Sequence, residues 1–456
     1  MRLYRCTTES LRPFLFRNVS GACSFPDKPV SCRAMNLLFG DISVSLNLPS
    51  ERLLAVIRPV LPALSTGPAQ LIASALAQCA PLLDQFRAGE RVVIVTSDIT
   101  RYTGSEQYLP LLVDEVNRRG IPDRDITLLI ALGIHRKQTE AEHRKIVGPL
   151  HDRITVVDHD CDNPDNLVFV GRTSNGIDVV VNRLAIEADR LILTGTIGFH
   201  YFAGFGGGRK ALLPGISGRA SCLASHFAVL HPEPGAGRNP RATTGVLDGN
   251  PVHKALCEAC AMVDPDLIFN TVLSPDKKII AVFAGQWDEA HRAGCRFYAE
   301  HFSYPLQEKA DLVVASCGGF PKDINLIQSH KAMEYAGRAL KEGGVMVLLA
   351  QCRDGYGHPS FFTWFRHQEL SEFEAALRAR YEINGQTAYA LLDKAKRFRI
   401  ILVSDLPPEE VRAMSMIPAA TLDEALVVAE QMLPEEYTAY VIPEAGTVLP
   451  ICDKTN

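Results

Sequence analysis

The chain has 456 residues, of which 47% are hydrophobic and 22% are charged, and its formal net charge is −5. These proportions are ordinary for a globular protein, and the length is enough for two or three domains. The acidic excess provides no basic field for nucleic acid, and no apolar run approaches the ~18 residues that a bilayer span requires. We therefore predict partners that are neither nucleic acid nor membrane.

The twelve cysteines are scattered through the chain and fall well short of a disulfide framework. Cys257 and Cys260 form a CxxC pair inside a helix predicted over 252–262, but no second pair has the spacing of a zinc site. Reduced thiols of a cytoplasmic protein are the favoured interpretation. The alternative is that these two cysteines supply half of the ligands of a zinc site.

Residues 1–34 differ from the rest of the chain. They are richer in cations than in acids and show no sustained hydrophobic periodicity. We expect a dispensable, disordered leader, with a targeting peptide as the alternative. The stretch MNLLFGDISVSLNLP, which opens at Met35, is typical of the first strand of a domain.

The first domain is predicted over 35–303 and begins with alternating helices and strands. The pattern predicts, in order, a helix over 68–86, a strand over 91–96, a helix over 106–119 and a strand over 126–131. Asp98 and Arg101 follow the first of these strands, and His135 follows the second. Ligands of open α/β sheets bind at the carboxyl ends of strands. We therefore expect these three side chains at one edge, where Asp98 orients Arg101 or His135.

A glycine-rich loop follows the buried strand predicted over 190–196. Its glycines and the two cations after them are Gly206, Gly207, Gly208, Arg209 and Lys210. Clustered glycines let the backbone approach a ligand closely, and the cations favour an anion, most often phosphate. The loop is not a Walker A motif, which needs glycine directly before the lysine. It is not a dinucleotide fingerprint either, because the last glycine comes one position early.

A second domain is predicted over 304–432, where strands and helices alternate. The expected strands cover 311–316, 344–350 and 399–404, and the expected helices cover 327–342, 368–380, 388–397 and 421–432. Such alternation implies a parallel sheet flanked by helices. We therefore predict an α/β protein with two such domains and an active site in the cleft between them. A C-terminal segment, 433–456, is expected to pack back on the first domain.

The stretch FHYFAGFGGGRKALLPG, followed further on by Ser225 and His226, closely resembles the signature of the nickel-dependent lactate racemase family. This family consists of nickel-pincer-nucleotide 2-hydroxyacid racemases and epimerases. It also has a DxxR motif after one strand and an HR…T motif after the next. Both motifs are matched here, by Asp98, Arg101, His135 and Thr139. The resemblance covers 36–450.

The resemblance implies a role for each matching residue. Lys210 would carry the covalently bound cofactor, a pyridinium-3,5-bisthiocarboxylic acid mononucleotide that grips nickel, and His226 would be the metal ligand. His135 and His200 would be the two acid/base catalysts. Asp98, Arg101 and the three loop glycines would contact the cofactor. The enzymes that build this cofactor are then expected partners.

The resemblance continues in GGFPKDINLIQSHKAMEYA of the second domain. There Gln328 and Lys331 match family residues that contact the substrate, and with Arg101 they would hold its carboxylate. The family has a tyrosine where this chain has Ile327. We therefore expect the best substrate to be a 2-hydroxy acid other than lactate.

An aromatic cluster follows in the same domain, at Phe361, Phe362, Trp364 and Phe365. The favoured interpretation is that these side chains belong to the core. If one of them instead lines the cleft, the substrate pocket is more apolar than one built for lactate.

The resemblance therefore implies a racemase or epimerase of a 2-hydroxy acid that works by reversible hydride transfer to the tethered nickel pincer. Inversion at a carbon that bears H and OH needs a base on each side, and histidine suits this near neutral pH. Two alternatives stay open. One is a nicotinamide-dependent dehydrogenase, although the glycine-rich loop does not have the dinucleotide-binding fingerprint of such enzymes. A non-catalytic binding protein for the cofactor or an anionic metabolite would not need two bases.

Overall fold

Two six-stranded sheets organise the chain. The computed structural model describes residues 35–452, so the leader predicted over 1–34 lies outside the described residues. None of the helices in that described part is long and apolar enough to cross a membrane.

The described chain opens with three short strands, β1 (Met35–Phe39), β2 (Ile42–Leu46) and β3 (Leu53–Val56). The first two pair antiparallel as a hairpin. The third strand joins a sheet whose other members come much later in the sequence.

The first sheet and its helices occupy 68–302. The strands of this region are β4 (Val92–Ser97), β5 (Ile126–Ala131), β6 (Thr155–Asp158), β7 (Leu167–Arg172), β8 (Asp178–Asn182), β9 (Arg190–Ile197), β10 (Phe199–His200), β11 (Gly204–Phe205), β12 (Leu267–Leu273) and β13 (Ile279–Gly285). The helices are α1 (Pro68–Leu83), α2 (Ser105–Arg118), α3 (Glu140–Val147), α4 (Arg183–Glu187), α5 (Arg209–Leu212), α6 (Arg219–Phe227), α7 (Pro251–Val263) and α8 (Trp287–Phe302).

The strand order of the first sheet is β13-β12-β9-β4-β5-β6. β13 is antiparallel to β12, and the other neighbours are parallel. The central strand β4 reads VVIVTS, and its first five residues are buried. Strands covered on both faces need such continuous apolar runs, which is why the sequence located this strand to within one residue.

The second sheet and its helices occupy 303–452. The strands are β14 (Ser303–Leu306), β15 (Ala310–Ser316), β16 (Leu340–Leu349), β17 (Arg399–Val403), β18 (Ile417–Ala419), β19 (Ala439–Ile442) and β20 (Leu449–Cys452). The helices are α9 (Leu326–Ala336), α10 (Pro359–Thr363), α11 (Leu370–Ala379), α12 (Ile383–Arg397), α13 (Pro408–Ala413) and α14 (Leu422–Glu430). The strand order is β18-β17-β16-β15-β19-β3, and all neighbours are parallel.

The predicted fold class is therefore confirmed: two largely parallel sheets are flanked by helices. One helix was predicted too long. The helix expected over 327–342 ends at Ala336, a 3-10 turn covers Gly337–Ala339, and β16 already begins at Leu340. Glycines at 337, 343 and 344 interrupt the helical pattern, and glycine is a poor helix former.

Strand pairing corrects both ends of the predicted domain division. β3 pairs with β19, and Leu37 and Leu46 belong to the core of the second sheet. The start of the predicted first domain, 35–56, therefore packs with the second unit. The segment expected to pack back on the first domain supplies β19 to the second sheet and β20 to a pair with β14, and Leu449 of β20 also lies close to Gly245 of the first unit. Local patterns show that a strand exists, whereas its partner depends on the whole fold.

Candidate active site

Asp98 and His135 meet at the carboxyl edge of the first sheet. β4 and β5 are parallel neighbours with Ser97 opposite Ala131, so the loops after them leave the sheet side by side. The Asp98 carboxylate lies 2.5 Å from Nδ1 of His135. It also accepts hydrogen bonds from the Thr100 amide, at 3.0 Å, and from the Thr100 hydroxyl, at 2.6 Å.

The surroundings of Asp98 keep its carboxyl ionised. Burial alone would raise the pKa of this group, but the hydrogen bonds from His135 and Thr100 outweigh burial and lower the pKa below its ordinary value. An ionised carboxylate can only accept hydrogen bonds, so Nδ1 of His135 carries the hydrogen of this bond and Nε2 is the nitrogen left for proton transfer. The sequence left two roles open for Asp98. It contacts His135, while the Arg101 guanidinium bonds to Thr100.

The glycine-rich loop is packed tightly against the first sheet. The Gly206 amide donates to the Gly198 carbonyl at 2.8 Å, and the Gly208 amide donates to Oδ1 of Asn270 at 2.7 Å. Gly207 has a φ of 105°, and a Cβ at this position would lie 2.9 Å from a histidine ring of α8. Close packing therefore requires these glycines, and two of their three amides are already used. Contact of Gly206, Gly207 and Gly208 with a cofactor stays a prediction.

Arg209 anchors this loop from beneath, a role that the sequence did not reveal. Its side chain is completely buried. Its guanidinium donates to neutral acceptors: Nδ1 of His253 (3.0 Å) and the carbonyls of Ala203 (3.4 Å), Phe205 (3.3 Å) and Gly206 (3.2 Å). Nε2 of His291 lies 2.7 Å from the guanidinium and 2.8 Å from the Gly206 carbonyl, and it either accepts from the first or donates to the second. No ion pair joins Arg209 to a carboxylate within 35–452. A buried arginine and a surface arginine look the same in a sequence, so no signal was missed.

Lys210, directly after Arg209, carries an amine with an unusual titration. Its Nζ lies 3.4 Å from Nε2 of His200 and 5.5 Å from the centre of the Phe202 ring. Burial lowers the pKa of this amine to about 7, with help from the positive charges of Arg209 and Arg101. A lysine with this pKa is about half deprotonated at neutral pH. The deprotonated amine is a nucleophile, which an ordinary lysine at this pH is not.

His200 is held between aromatic rings on the other side of the loop. Its ring packs edge-on against Phe202, with centroids 4.4 Å apart, and stacks on Tyr201 at 5.6 Å. The Ala203 amide donates to Nδ1 at 3.3 Å. Burial lowers the pKa of His200 well below its ordinary value, and the charge of Lys210 acts in the same direction. The imidazole is therefore neutral at physiological pH.

The two ring nitrogens of His226 differ in their hydrogen bonding. Nδ1 lies 2.8 Å from the Cys222 carbonyl, one turn back on α6, so Nδ1 carries the hydrogen. Nε2 is then left as a lone-pair donor. Burial and the charge of Lys210 lower the pKa of the ring to about 4. A neutral histidine with its other N–H bonded to a carbonyl is the usual state of a histidine metal ligand.

The second unit contributes Gln328 and Lys331 from α9. Nζ of Lys331 donates to Oε1 of Gln328 at 3.0 Å, and the Asn325 side chain caps the helix at the Gln328 amide. The Lys331 side chain is open to water, but the protein around it lowers the pKa of its amine to about 8, as does the charge of Arg101. The charges of Lys331 and Arg101 also act on the pKa of His200. The site residues of both units are therefore electrostatically coupled across the cleft.

The aromatic cluster of the second unit lies in the core, as the favoured interpretation expected. Phe361, Trp364 and Phe365 are buried, at 0%, 7% and 3% exposure. Phe362 is half-buried and stacks on Tyr356. Ile327, by contrast, is half-buried at the start of α9, next to Gln328, and its amide donates to the Tyr356 carbonyl at 3.2 Å. The apolar side chain next to the site residues of α9 is therefore Ile327.

Comparison with known proteins shows which family this chain resembles over most of its length. The family model described as the lactate racemase N-terminal domain matches residues 39–237, and the one described as the lactate racemase C-terminal domain matches residues 306–449. The lactate racemase of Thermoanaerobacterium thermosaccharolyticum is 33% identical over 436 residues, which are 90% of this chain and 97% of that protein. The lactate racemase of Lactiplantibacillus plantarum is 34% identical over 373 residues, which are 80% of this chain and 85% of that protein.

Solved structures show the same likeness. The lactate racemase apoprotein of Thermoanaerobacterium thermosaccharolyticum superposes with a TM-score of 0.83 at 32% identity, over 92% of this chain and 100% of that one. A Thermotoga maritima protein superposes with a TM-score of 0.61 at 18% identity, over 86% of this chain and 100% of that one. At that identity, the second likeness shows the fold alone.

The surroundings of Lys210 lead to a prediction for the protein without cofactor. An amine-reactive reagent modifies only the deprotonated amine, so Lys210 should label with a midpoint near pH 7, whereas ordinary lysines label near pH ~10.4. Peptide mass spectrometry across a pH series measures each lysine in one digest. Arg101→Gln should move the Lys210 midpoint upward, because it removes a positive charge. A midpoint for Lys210 near that of ordinary lysines would contradict this account.

Proposed function

The chain belongs to the lactate racemase family and is a racemase of hydroxy acids; from this premise we propose that it inverts a 2-hydroxy acid with a nickel pincer nucleotide bound covalently to Lys210. One observation carries the proposal. A lysine of lowered pKa, two histidines of lowered pKa and a carboxylate-bound histidine surround the same cleft. Such a set supports covalent attachment, metal ligation and proton transfer together.

The donor chemistry of the residues fits the proposed cofactor. An amine with a pKa of about 7 can form an acyl bond at neutral pH, and Lys210 is such an amine. His226 is neutral and keeps Nε2 free, as ligation of nickel requires. We propose Lys210 as the attachment point and His226 as the metal ligand. When bound, the cofactor supplies an acceptor for a hydride.

The chain's own residues bind the substrate and move its proton. Arg101, Gln328 and Lys331 hold the carboxylate, because two cations and an amide match its charge and its lone pairs. Loss of a hydride from the α-carbon and of a proton from the hydroxyl turns the substrate into a 2-keto acid. Return of the hydride to the opposite face of the keto carbon, and of a proton to the keto oxygen, gives the antipode.

Proton transfer falls to the two histidines. His135 takes the hydroxyl proton of one antipode at Nε2, and the Asp98 carboxylate stabilises the imidazolium that forms. His200 serves the other antipode. To accept a proton at Nε2, His200 must carry its hydrogen on Nδ1. In that tautomer Nδ1 no longer accepts the 3.3 Å hydrogen bond from the Ala203 amide. Both rings must be neutral to accept a proton, and the low pKa of His200 provides this.

The cofactor part of this proposal is tested by loading. Protein produced together with the enzymes that build the cofactor should gain mass and carry nickel, measured by intact mass spectrometry and metal analysis. Lys210→Ala should lose the added mass, whereas Lys254→Ala, at an exposed lysine of α7, should keep it. His226→Ala should keep the added mass and lose most of the nickel. An active enzyme with an unmodified Lys210 would refute the attachment, and full nickel in His226→Ala would refute the ligand.

The assignment of two bases is tested with the loaded enzyme. His135→Ala and His200→Ala should each reduce racemisation by ~10²–10⁴-fold, the usual cost of removing a general base, while nickel stays bound. Asp98→Asn should act through His135, because an amide cannot hold that ring in the required tautomer. Chiral chromatography of both antipodes measures the rates. Bound nickel without turnover of any hydroxy acid by the unaltered protein would favour a binding protein instead.

The identity of the substrate rests on Ile327. This half-buried side chain replaces the family tyrosine directly before Gln328, so a hydroxyl that could bond to the substrate or to Lys331 is absent. Three of the four aromatic residues farther along the chain, Phe361, Trp364 and Phe365, are buried in the core. A polar contact discriminates strongly between substrates, while an apolar contact contributes only ~1–3 kcal/mol per methylene. We therefore propose a 2-hydroxy acid other than lactate.

A panel of enantiopure 2-hydroxy acids tests this choice. Lactate should have a lower kcat/KM than an acid with a larger side chain. Ile327→Tyr should narrow that difference, because it restores the missing hydroxyl. The buried substitution Phe361→Leu serves as a control that alters the core beside the cleft but not the cleft. Lactate as the best substrate of the unaltered enzyme would overturn this interpretation of Ile327.

A further inference from the structure

A cavity of about 860 Å³ lies between the two units, away from the histidines of the candidate active site. One wall is the loop 235–243 of the first unit. The opposite wall is formed by the end of α9 together with α11 and α12 of the second unit. None of the predicted site residues lines it, so this cavity is a separate feature of the molecule.

Most charged groups around the cavity are already paired. The Glu334 carboxylate lies 3.3 Å from Arg238 of the first unit and 3.0 Å from Lys394 of α12. Glu374 of α11 pairs with Arg378 at 2.6 Å and accepts the amides of the loop at 235 and 237. The third carboxylate of the wall, Asp393, lies 3.5 Å from Lys394. Each carboxylate of the cavity wall therefore already has a cationic partner.

Two cations of the cavity wall have no acidic partner within 4 Å in the described part of the chain. They are Arg338, after α9, and Lys309, before β15. The Arg338 guanidinium donates only to neutral groups, the Thr243 hydroxyl at 2.7 Å and the Thr244 carbonyl at 3.2 Å. Burial lowers the pKa of Arg338. The charge of Glu334 offsets part of this effect, but Arg338 forms no ion pair with it. A half-buried cation without a direct ion pair is costly, and a bound anion would reduce that cost.

We propose that this cavity is a second binding site that takes a compact dianion, either a phosphate monoester or a small dicarboxylate, on Arg338 and Lys309. Two uncompensated positive charges match two negative ones. The guanidinium offers paired N–H groups, which suit the oxygens of phosphate and carboxylate alike. The volume admits a small molecule and excludes a polymer.

The position of the cavity gives this ligand a consequence for catalysis. Arg238, which lines the cavity, lies over the Tyr201 ring at 5.9 Å and donates to the Tyr201 carbonyl at 3.4 Å. Tyr201 in turn stacks on His200. The Arg338 guanidinium itself bonds to Thr243 and Thr244 of the first unit, so a dianion on Arg338 would lie at the junction of the two units. The site is therefore placed to regulate the cleft without entering it.

Calorimetry on the full chain without cofactor tests this proposal, with inorganic phosphate and succinate as separate probes. Arg338→Gln and Lys309→Gln should each weaken binding about 10-fold or more, the usual effect of removing one charge-assisted contact. Arg338→Lys keeps the charge and should weaken binding less than Arg338→Gln. This variant also guards against simple misfolding. Lys396→Gln, on α12 but outside the cavity, should bind like the unaltered protein.

The cations of the catalytic cleft also attract anions, so Lys331→Ala supplies the distinguishing arm. The proposed site should still bind its probe in Lys331→Ala. Loss of all binding in Lys331→Ala, together with full binding in Arg338→Gln, would assign the anion to the catalytic cleft and overturn the proposal. Absence of binding for both probes at about 10 mM would overturn it too. Stronger binding of phosphate or of succinate identifies which source of the dianion the site prefers.

Discussion

The buried guanidinium of Arg209 is the interaction on which the rest of the candidate site depends. It bonds to the carbonyls of Ala203, Phe205 and Gly206, so it fixes the chain between His200 and Lys210. His200 leaves this segment at one end and Lys210 at the other. Their 3.4 Å contact therefore depends on one side chain beneath the loop, in addition to the packing of both residues against Phe202.

The partners of Arg209 are neutral, and this has an electrostatic consequence. A carboxylate in place of His253 or His291 would stabilise the guanidinium more cheaply, because a buried cation without an acid is costly. It would also cancel the positive charge that lowers the pKa of Lys210. Burial and the charge of Arg209 lower the pKa of His253 to about 2, so that ring stays neutral. Cys257 lies next to His253 and Cys295 next to His291, and these residue types also occur in metal sites. The buried positive charge of Arg209 between them disfavours a metal ion.

How far the sequence predicts the structure depends on the distance over which each feature is encoded. The strand that became β4 was found from one apolar run, and the edge shared by Asp98 and His135 followed from the rule for parallel sheets. The pairing of β3 with β19 was missed, because nearly four hundred residues separate these strands and neither carries a sign of its partner. The burial of Arg209 was missed because its side-chain partners His253 and His291 are distant in the sequence, and nothing in the sequence near Arg209 indicates them.

The glycines illustrate a subtler difference. The sequence correctly indicated that the backbone at 206–208 must approach something closely, but it suggested a ligand. In the structure Gly208 approaches Ile268, to which a Cβ would come within 2.6 Å, and its amide bonds to Asn270. A glycine in the sequence indicates that a neighbouring group lies close to the backbone, but it does not indicate whether that group is a ligand or protein. The same residue type serves ligand contact and backbone packing, and only the neighbours distinguish them.

The charges of the site are divided by function. Arg101 and Lys331 are positive and stand where an anionic substrate would be held, and they come from different units. The imidazoles of His200 and His226 are kept neutral by burial and by the charge of Lys210. A protonated imidazole can neither take a proton nor bind a metal. The charges of Arg101 and Lys331 also lower the pKa of His200, so the cations that would attract an anionic substrate keep this imidazole able to accept a proton.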